Sequence, residues 1–225
     1  MKALAVALVG FFPSSPLKNY LLRRLGWDVA GSADISPSLY WRIGGVTIGE
    51  NARIGIGNVF RDLRDLRLSH DSRIGQWNWI SAATPLVRAG GAGDLLLEQH
   101  SALTSRHYLD CSGGIQIGSH ATVAGVRSTF VTHGLQWTTS MQSFRGIKIG
   151  AYSLISSNCS LTPGTRIGRG VVIGMGATVA GNLSEPGLYL SNRANLVKSP
   201  LEGEYFTRTV GYIRDIAPPR STDGL

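Results

Sequence analysis

The 225-residue chain has little charge and almost no cysteine: 16% of its residues are Asp, Glu, Lys or Arg, and two are Cys. Two cysteines cannot make a disulfide framework for a chain of this length, so a reducing compartment is the simpler setting. Long hydrophobic runs are missing too. The N-terminal stretch Ala3–Phe12 has ten residues, half of the ~20 that a spanning helix needs. Acidic residues are scarce, 14 against 22 basic, for a net charge of +8. The basic residues form no Lys/Arg-rich run and no recognised module, so no nucleic-acid partner is expected. What the chain has in quantity is glycine, 29 residues. Glycine is costly inside helices, which argues against a helical bundle. An apolar content of 43% supplies a core and excludes wholesale disorder.

Lys2 and the apolar run after it imitate the front of a signal peptide. Pro13-Ser14-Ser15-Pro16, followed by Lys18, Arg23 and Arg24, is a poor cleavage region. Two readings stand for residues 1–34. One is a helical cap with a Pro break. The other is a membrane-surface segment in which Lys18, Arg23 and Arg24 accompany Tyr20, Leu21, Leu22 and Trp27.

The dipeptide Ile-Gly occurs nine times. Ile149, Ile155, Leu161, Ile167, Ile173 and Val179 follow one another in strict period six. Shorter blocks keep the step: Ile48, Ile54, Phe60; Leu68, Ile74, Ile80; Leu97, Leu103, Leu109; and Ile117, Val123, Thr129. Six fits neither the helical period of 3.6 nor the strand period of 2. It fits a flat-sided coil with one hexapeptide per side, each aliphatic residue stacking on its equivalent one coil away. Glycine directly after it suits a corner where a Cβ would be crowded. A single coil cannot bury its own apolar residues, so stability must come from stacking.

The hexapeptide pattern over residues 35–198 resembles the left-handed parallel β-helix acyltransferases, the isoleucine-patch family, most strongly from Ile117 onward. In that family three hexads make a coil, so the eighteen hexads here imply an all-β prism of about six coils. Phase jumps at 61–67, 81–96, 110–116 and 130–148 mark expected loops. Residues 1–34 would be a short helical cap and 199–225 an irregular tail. The resemblance is closest to polysaccharide and sugar O-acetyltransferases. It implies acetyl-CoA as donor, a sugar or a lipid- or nucleotide-linked sugar as acceptor, and a homotrimer. It also implies a cytoplasmic setting, at the inner face of the membrane if the N-terminus makes peripheral contact there. A role in capsule, exopolysaccharide or lipopolysaccharide synthesis follows from the same likeness.

His133, in Phe130-Val131-Thr132-His133-Gly134, matches the family's histidine that leaves the coil before a loop and an Ile-x-Ile-Gly hexad. The expected role is general base; the alternative is a histidine that caps the loop. An alcohol attacking a thioester must lose its proton, and imidazole titrates in the right range to take it. No acyl-enzyme nucleophile motif is present, so direct transfer is expected. On the coenzyme flank the resemblance points to Ser157 and to Met175, Gly176 and Ala177, in Gly174-Met175-Gly176-Ala177, which looks like the family's Gly-Ala-Gly-Ser. Arg193 and Lys198, in and after the altered closing signature Ser191-Asn192-Arg193-Ala194-Asn195, are candidates for the coenzyme phosphates. His107 and Trp137 are candidates for the acceptor. Trp77 and Trp79 are expected to pack, and Cys111 and Cys159 to be buried small hydrophobes.

No metal is expected. The spacings of 7, 13 and 13 between His100, His107, His120 and His133 do not repeat a coil, and zinc chemistry needs converging ligands. Two other functions stay open. An N-acyltransferase of amino sugars would want a charged group to handle an ammonium, which the sequence does not reveal. A non-catalytic hexapeptide scaffold would need no histidine at a loop root.

Overall fold

The structure is a computed structural model that describes residues 2–191 together with Ser199, Pro200, Gly203, Phe206, Thr207 and Thr209. Residues 1–191 form one unit and residues 192–225 a second. The first unit is the left-handed parallel β-helix expected from the repeat. Short strands of two to four residues stack into three parallel sheets of eight, eight and seven strands. The chain visits the first, second and third faces in turn, so each three-strand circuit is one coil. Among the described residues this makes seven complete coils and part of an eighth, more than the six that the hexads implied. The first coil, with Val29, Ile35 and Tyr40 inside, falls one residue short between Ile35 and Tyr40, and the last, with Leu183 and Tyr189, starts only four residues after Val179, so neither continues a run of sixes.

Each face contributes a column of inward residues. On the third face Tyr40, Phe60, Ile80, Leu109, Phe130, Leu161 and Val179 lie in register, all buried. A buried aliphatic or aromatic side chain contributes roughly 1.5–3 kcal/mol relative to exposure, and every coil receives one from each side. The inward residue of the fifth coil is Phe130, not Thr129. An extra corner residue, in the stretch Gly125-Val126-Arg127, moves the phase by one. The jumps at 61–67 and 110–116 are corners two residues longer than a hexad rather than loops. The other two leave the prism: 81–96 holds the short helix Thr84–Arg88, and 130–148 holds an antiparallel hairpin, His133–Gln136 against Met141–Phe144.

The glycine after the inward residue is there for the reason the sequence suggests. A Cβ on Gly150 would lie 2.5 Å from the carbonyl carbon of Gly168 on the next coil. At the corner before the third face, a line of buried polar side chains takes up backbone N–H groups from coil to coil. Ser38 Oγ accepts from Asn58 N (3.1 Å), Asn58 Oδ1 from Asn78 N (2.9 Å), and Asn78 Oδ1 from His107 N (2.9 Å). His107 Nδ1 then accepts from Ser128 N (3.1 Å), and Ser128 Oγ from Cys159 N (3.2 Å). Buried donors are expensive to leave unpaired, so this ladder is part of what lets coils stack.

Two helices, α1 (Lys2–Gly10) and α2 (Pro16–Arg24), form the N-terminal cap. Ser15 caps α2 with its hydroxyl, and Pro16 occupies the first turn. Lys18 is fully buried. Its Nζ donates to the carbonyls of Gly10 (2.9 Å), Phe12 (2.8 Å) and Ser36 (3.1 Å), which ties the end of α1 to the first coil. Burial lowers the Lys18 pKa to about 8, opposed by Asp34. The cap's outer side exposes Leu4, Leu8, Phe11, Phe12, Leu17 and Tyr20. No helix among the described residues is long and apolar enough to cross a membrane.

Two predictions test this packing. Gly150→Ala should cost at least ~1–3 kcal/mol, whereas Gly31→Ala, whose Cβ would meet nothing within 4 Å, should be near neutral in urea unfolding. Equal effects would contradict the corner argument. Burial lowers the His107 pKa to about 4. The unfolded chain therefore takes up that proton first, and stability falls as pH drops from about 6.5 towards 4, by about 3 kcal/mol in all. His107→Asn puts in the residue used at 58 and 78 and should remove that acid slope. An unchanged slope in the variant would show that His107 does not cause it.

Candidate active site

The third-face strand of the fourth coil ends at Asp110, next to the inward Leu109. One coil later the third-face strand Thr129–Phe130 runs on through Val131 and Thr132 to His133, where the hairpin leaves the prism. Stacking therefore brings Asp110 beside His133, although 23 residues separate them. Asp110 Oδ2 lies 2.7 Å from His133 Nδ1.

The carboxylate is buried and saturated with donors. Oδ1 accepts from Ser112 N (3.1 Å) and Ser112 Oγ (2.5 Å); Oδ2 accepts from Thr132 N (2.8 Å), and Thr132 Oγ1 stands 2.9 Å away. Thr132 Oγ1 in turn accepts from Gly113 N (2.8 Å). Burial alone would push the Asp110 pKa up. The hydrogen bonds from Ser112, His133 and Thr132 outweigh it and hold the group below the ordinary carboxylate range. An ionised Asp110 can only accept, so His133 Nδ1 carries a proton, and the neutral ring keeps its lone pair on Nε2. The imidazole is 37% exposed, and Nε2 has no hydrogen-bond partner among the described residues. Arg145 N donates to Thr132 O (2.8 Å), which closes the base of the hairpin beneath the histidine. The arrangement fixes the ring through Nδ1 and leaves Nε2 open, the geometry that a general base needs.

Asp110 was not among the residues singled out from the sequence. Its only local mark is a carboxylate directly after an inward leucine, at the start of a phase jump. The other candidates fall in several places. His107 does not face an acceptor: it is 2% exposed. With Nδ1 accepting from Ser128, its Nε2–H is directed at Thr104 Oγ1 (3.0 Å). It is a rung of the corner ladder. Trp137 sits at the hairpin tip and is 87% exposed. Trp77 and Trp79, expected to pack, are exposed as well, and Trp79 lies in register beside the exposed Tyr108 on the third face, two residues before Asp110.

Ser157, Met175 and Gly176 share the corner between the second and third faces, whereas His133 is at the corner between the third and first. One chain does not bring the two groups together. Ser157 Oγ accepts from Val126 N (3.2 Å), Met175 is exposed, and a Cβ on Gly176 would meet nothing within 4 Å. Ala177 is buried in the core, and its carbonyl accepts from Ser160 N (2.9 Å). Arg193 and Lys198 lie outside the described residues. Cys111 and Cys159 are buried as expected, and burial raises both thiol pKa values. The His spacings hid one cluster: His70, Asp71 and His100 come together at the corner between the first and second faces.

Comparison with known proteins fits this architecture. Residues 146–181 match the family model described as bacterial transferase hexapeptide (six repeats). Among solved structures, the polysialic acid O-acetyltransferase OatWY superposes with a TM-score of 0.54 at 15% identity, over 76% of this chain and 83% of that one. The polySia-specific acetyltransferase NeuO (17% identity, 76% and 79% covered) and a maltose O-acetyltransferase from Clostridium difficile 630 (13% identity, 89% and 85% covered) each give 0.35. No curated protein sequence matches the chain.

Removing the carboxylate tests its structural share. Asp110→Ala strands the N–H groups of Ser112 and Thr132 and should cost ~2–5 kcal/mol in urea unfolding. Asp110→Asn keeps one acceptor oxygen and should cost less. Equal losses would mean that the donors around Asp110 do not depend on it.

Proposed function

We propose that the protein is an acetyl-CoA-dependent O-acetyltransferase that modifies a sugar hydroxyl, with His133 as general base. The observation that carries this reading is the Asp110–His133 pair, in which a buried acceptor-only carboxylate holds Nδ1–H and leaves Nε2 open. The acceptor hydroxyl gives its proton to Nε2 as its oxygen bonds to the thioester carbonyl carbon. The carbon–sulfur bond then breaks, and the proton passes from Nε2 to the thiolate leaving group. The products are the acetyl ester and free coenzyme A. Positioned proton transfer of this kind contributes ~10²–10⁴-fold. Asp110 stabilises the imidazolium that forms between the two steps.

Coenzyme A is the donor that the hexapeptide repeat favours, and the open corner at Gly176, with the exposed Met175 beside it and Ser157 one coil earlier, gives it room. Because this flank and His133 lie on different corners, a site using both takes them from two copies of the chain. The exposed Leu135, Trp137 and Met141 on the hairpin give such an assembly an apolar contact, and we assign a homotrimer. Trp137 at the hairpin tip, and Trp79 and Tyr108 side by side on the third face, supply exposed aromatic surface for a sugar ring. The apolar outer side of the cap, with the exposed Arg23 and Arg24 of α2 but not the buried Lys18, suits peripheral contact with a membrane surface. A cytoplasmic enzyme at the inner face, acting on lipid- or nucleotide-linked precursors of capsule, exopolysaccharide or lipopolysaccharide, fits all of these features.

The test is thiol release from acetyl-CoA in the presence of nucleotide- and lipid-linked sugars, with the oligomer mass measured alongside. Acceptor-dependent release that falls at least ~100-fold in His133→Ala is expected, with the activity in a trimer. Unchanged release in the variant would remove His133 as the base. An active monomer would overturn the shared site.

A further inference from the structure

We propose that His70, Asp71 and His100 form a binding site for a divalent transition-metal ion, zinc in the first instance, that cross-links the third and fourth coils. The two coils are joined by the long 81–96 excursion, and the three side chains meet where the coils stack again beyond it. Asp71 and His100 hold equivalent corner positions, both in the left-handed region (φ 57° and 56°), so their side chains leave the prism side by side. His70 Nδ1 is 3.1 Å and His100 Nδ1 4.0 Å from the same oxygen, Asp71 Oδ2, and the three ligand atoms all lie within 4.8 Å of one another. Ligand atoms about 2.0–2.2 Å from a tetrahedral ion stand roughly 3.4 Å apart. The cluster therefore needs only a small closing rotation of exposed side chains.

The surroundings hold the donors in place. Gln99 Oε1 lies 2.7 Å from His70 Nε2, which leaves Nδ1 as the nitrogen turned to the cluster. His70, together with Asn51, holds the Asp71 carboxyl below its ordinary pKa, and Glu50 adds negative charge nearby. The His100 ring is braced between His70 (centroids 5.1 Å apart) and His120 (4.8 Å), and His120 stacks on Tyr152 (4.6 Å). Two imidazoles and one carboxylate are a donor set that suits zinc, with water completing the shell on the exposed side. This corner is not the one that carries Asp110 and His133, so the proposal does not depend on the acetyltransferase reading.

The experiment uses the full chain, free of any histidine tag and stripped of metal, titrated with Zn²⁺ by calorimetry and with Co²⁺ by visible absorption. Asp71→Asn and His100→Asn are the test variants, since asparagine tolerates the left-handed backbone. His133→Ala is the control for metal at the dyad. One ion per chain is expected, with a rise in Tm, affinity at least ~10-fold weaker in each test variant, and no change in the control. Absence of saturable binding by the wild-type chain, or unaltered affinity in either test variant, would overturn the site.

Discussion

Parallel stacking of one coil on the next is the constraint from which the rest of this structure follows. Each strand hydrogen-bonds to its equivalent one coil away, so residues at the same position in successive coils become neighbours whatever their separation in the chain. The aliphatic columns, the Ser38-to-Cys159 polar ladder, the ring stack through His120 and Tyr152, and the Asp110–His133 pair all use that one geometric rule. Interior columns hold the coils together, and corners, where side chains must turn outward, are where the chemistry collects.

The rule also explains which parts were legible in the sequence. Where corners are one hexad apart, from Ile149 to Val179, the inward residues can be read directly. A single extra corner residue before Phe130 was enough to make Thr129 look like the core position. Asp110 escaped notice because the coil that separates it from His133 is not a multiple of six. The same holds for His70 and His100, whose separation is lengthened by the excursion carrying the Thr84–Arg88 helix. His107 shows the opposite error. Taken alone it resembles a ligand-binding histidine, but Asn58 and Asn78 at the same rung reveal a structural position. His133 was legible because a histidine at a loop root is a local pattern.

The Asp110–His133 pair illustrates how a prism with a rigid interior can hold a reactive group. Asp110 is anchored by backbone and hydroxyl donors from two coils, so its carboxylate is ionised despite burial and fixed in direction. His133 takes its orientation from that oxygen and from the hairpin it begins, where it stands in register with Phe144.

The most direct test of this account is the tautomer of His133, read from the ring nitrogen and proton shifts of the ¹⁵N-labelled protein at neutral pH. The account predicts a proton on Nδ1, shifted downfield by its bond to the Asp110 carboxylate, and a lone pair on Nε2. A proton on Nε2 with Nδ1 bare would contradict it, because the open edge of the ring would then have no base to offer.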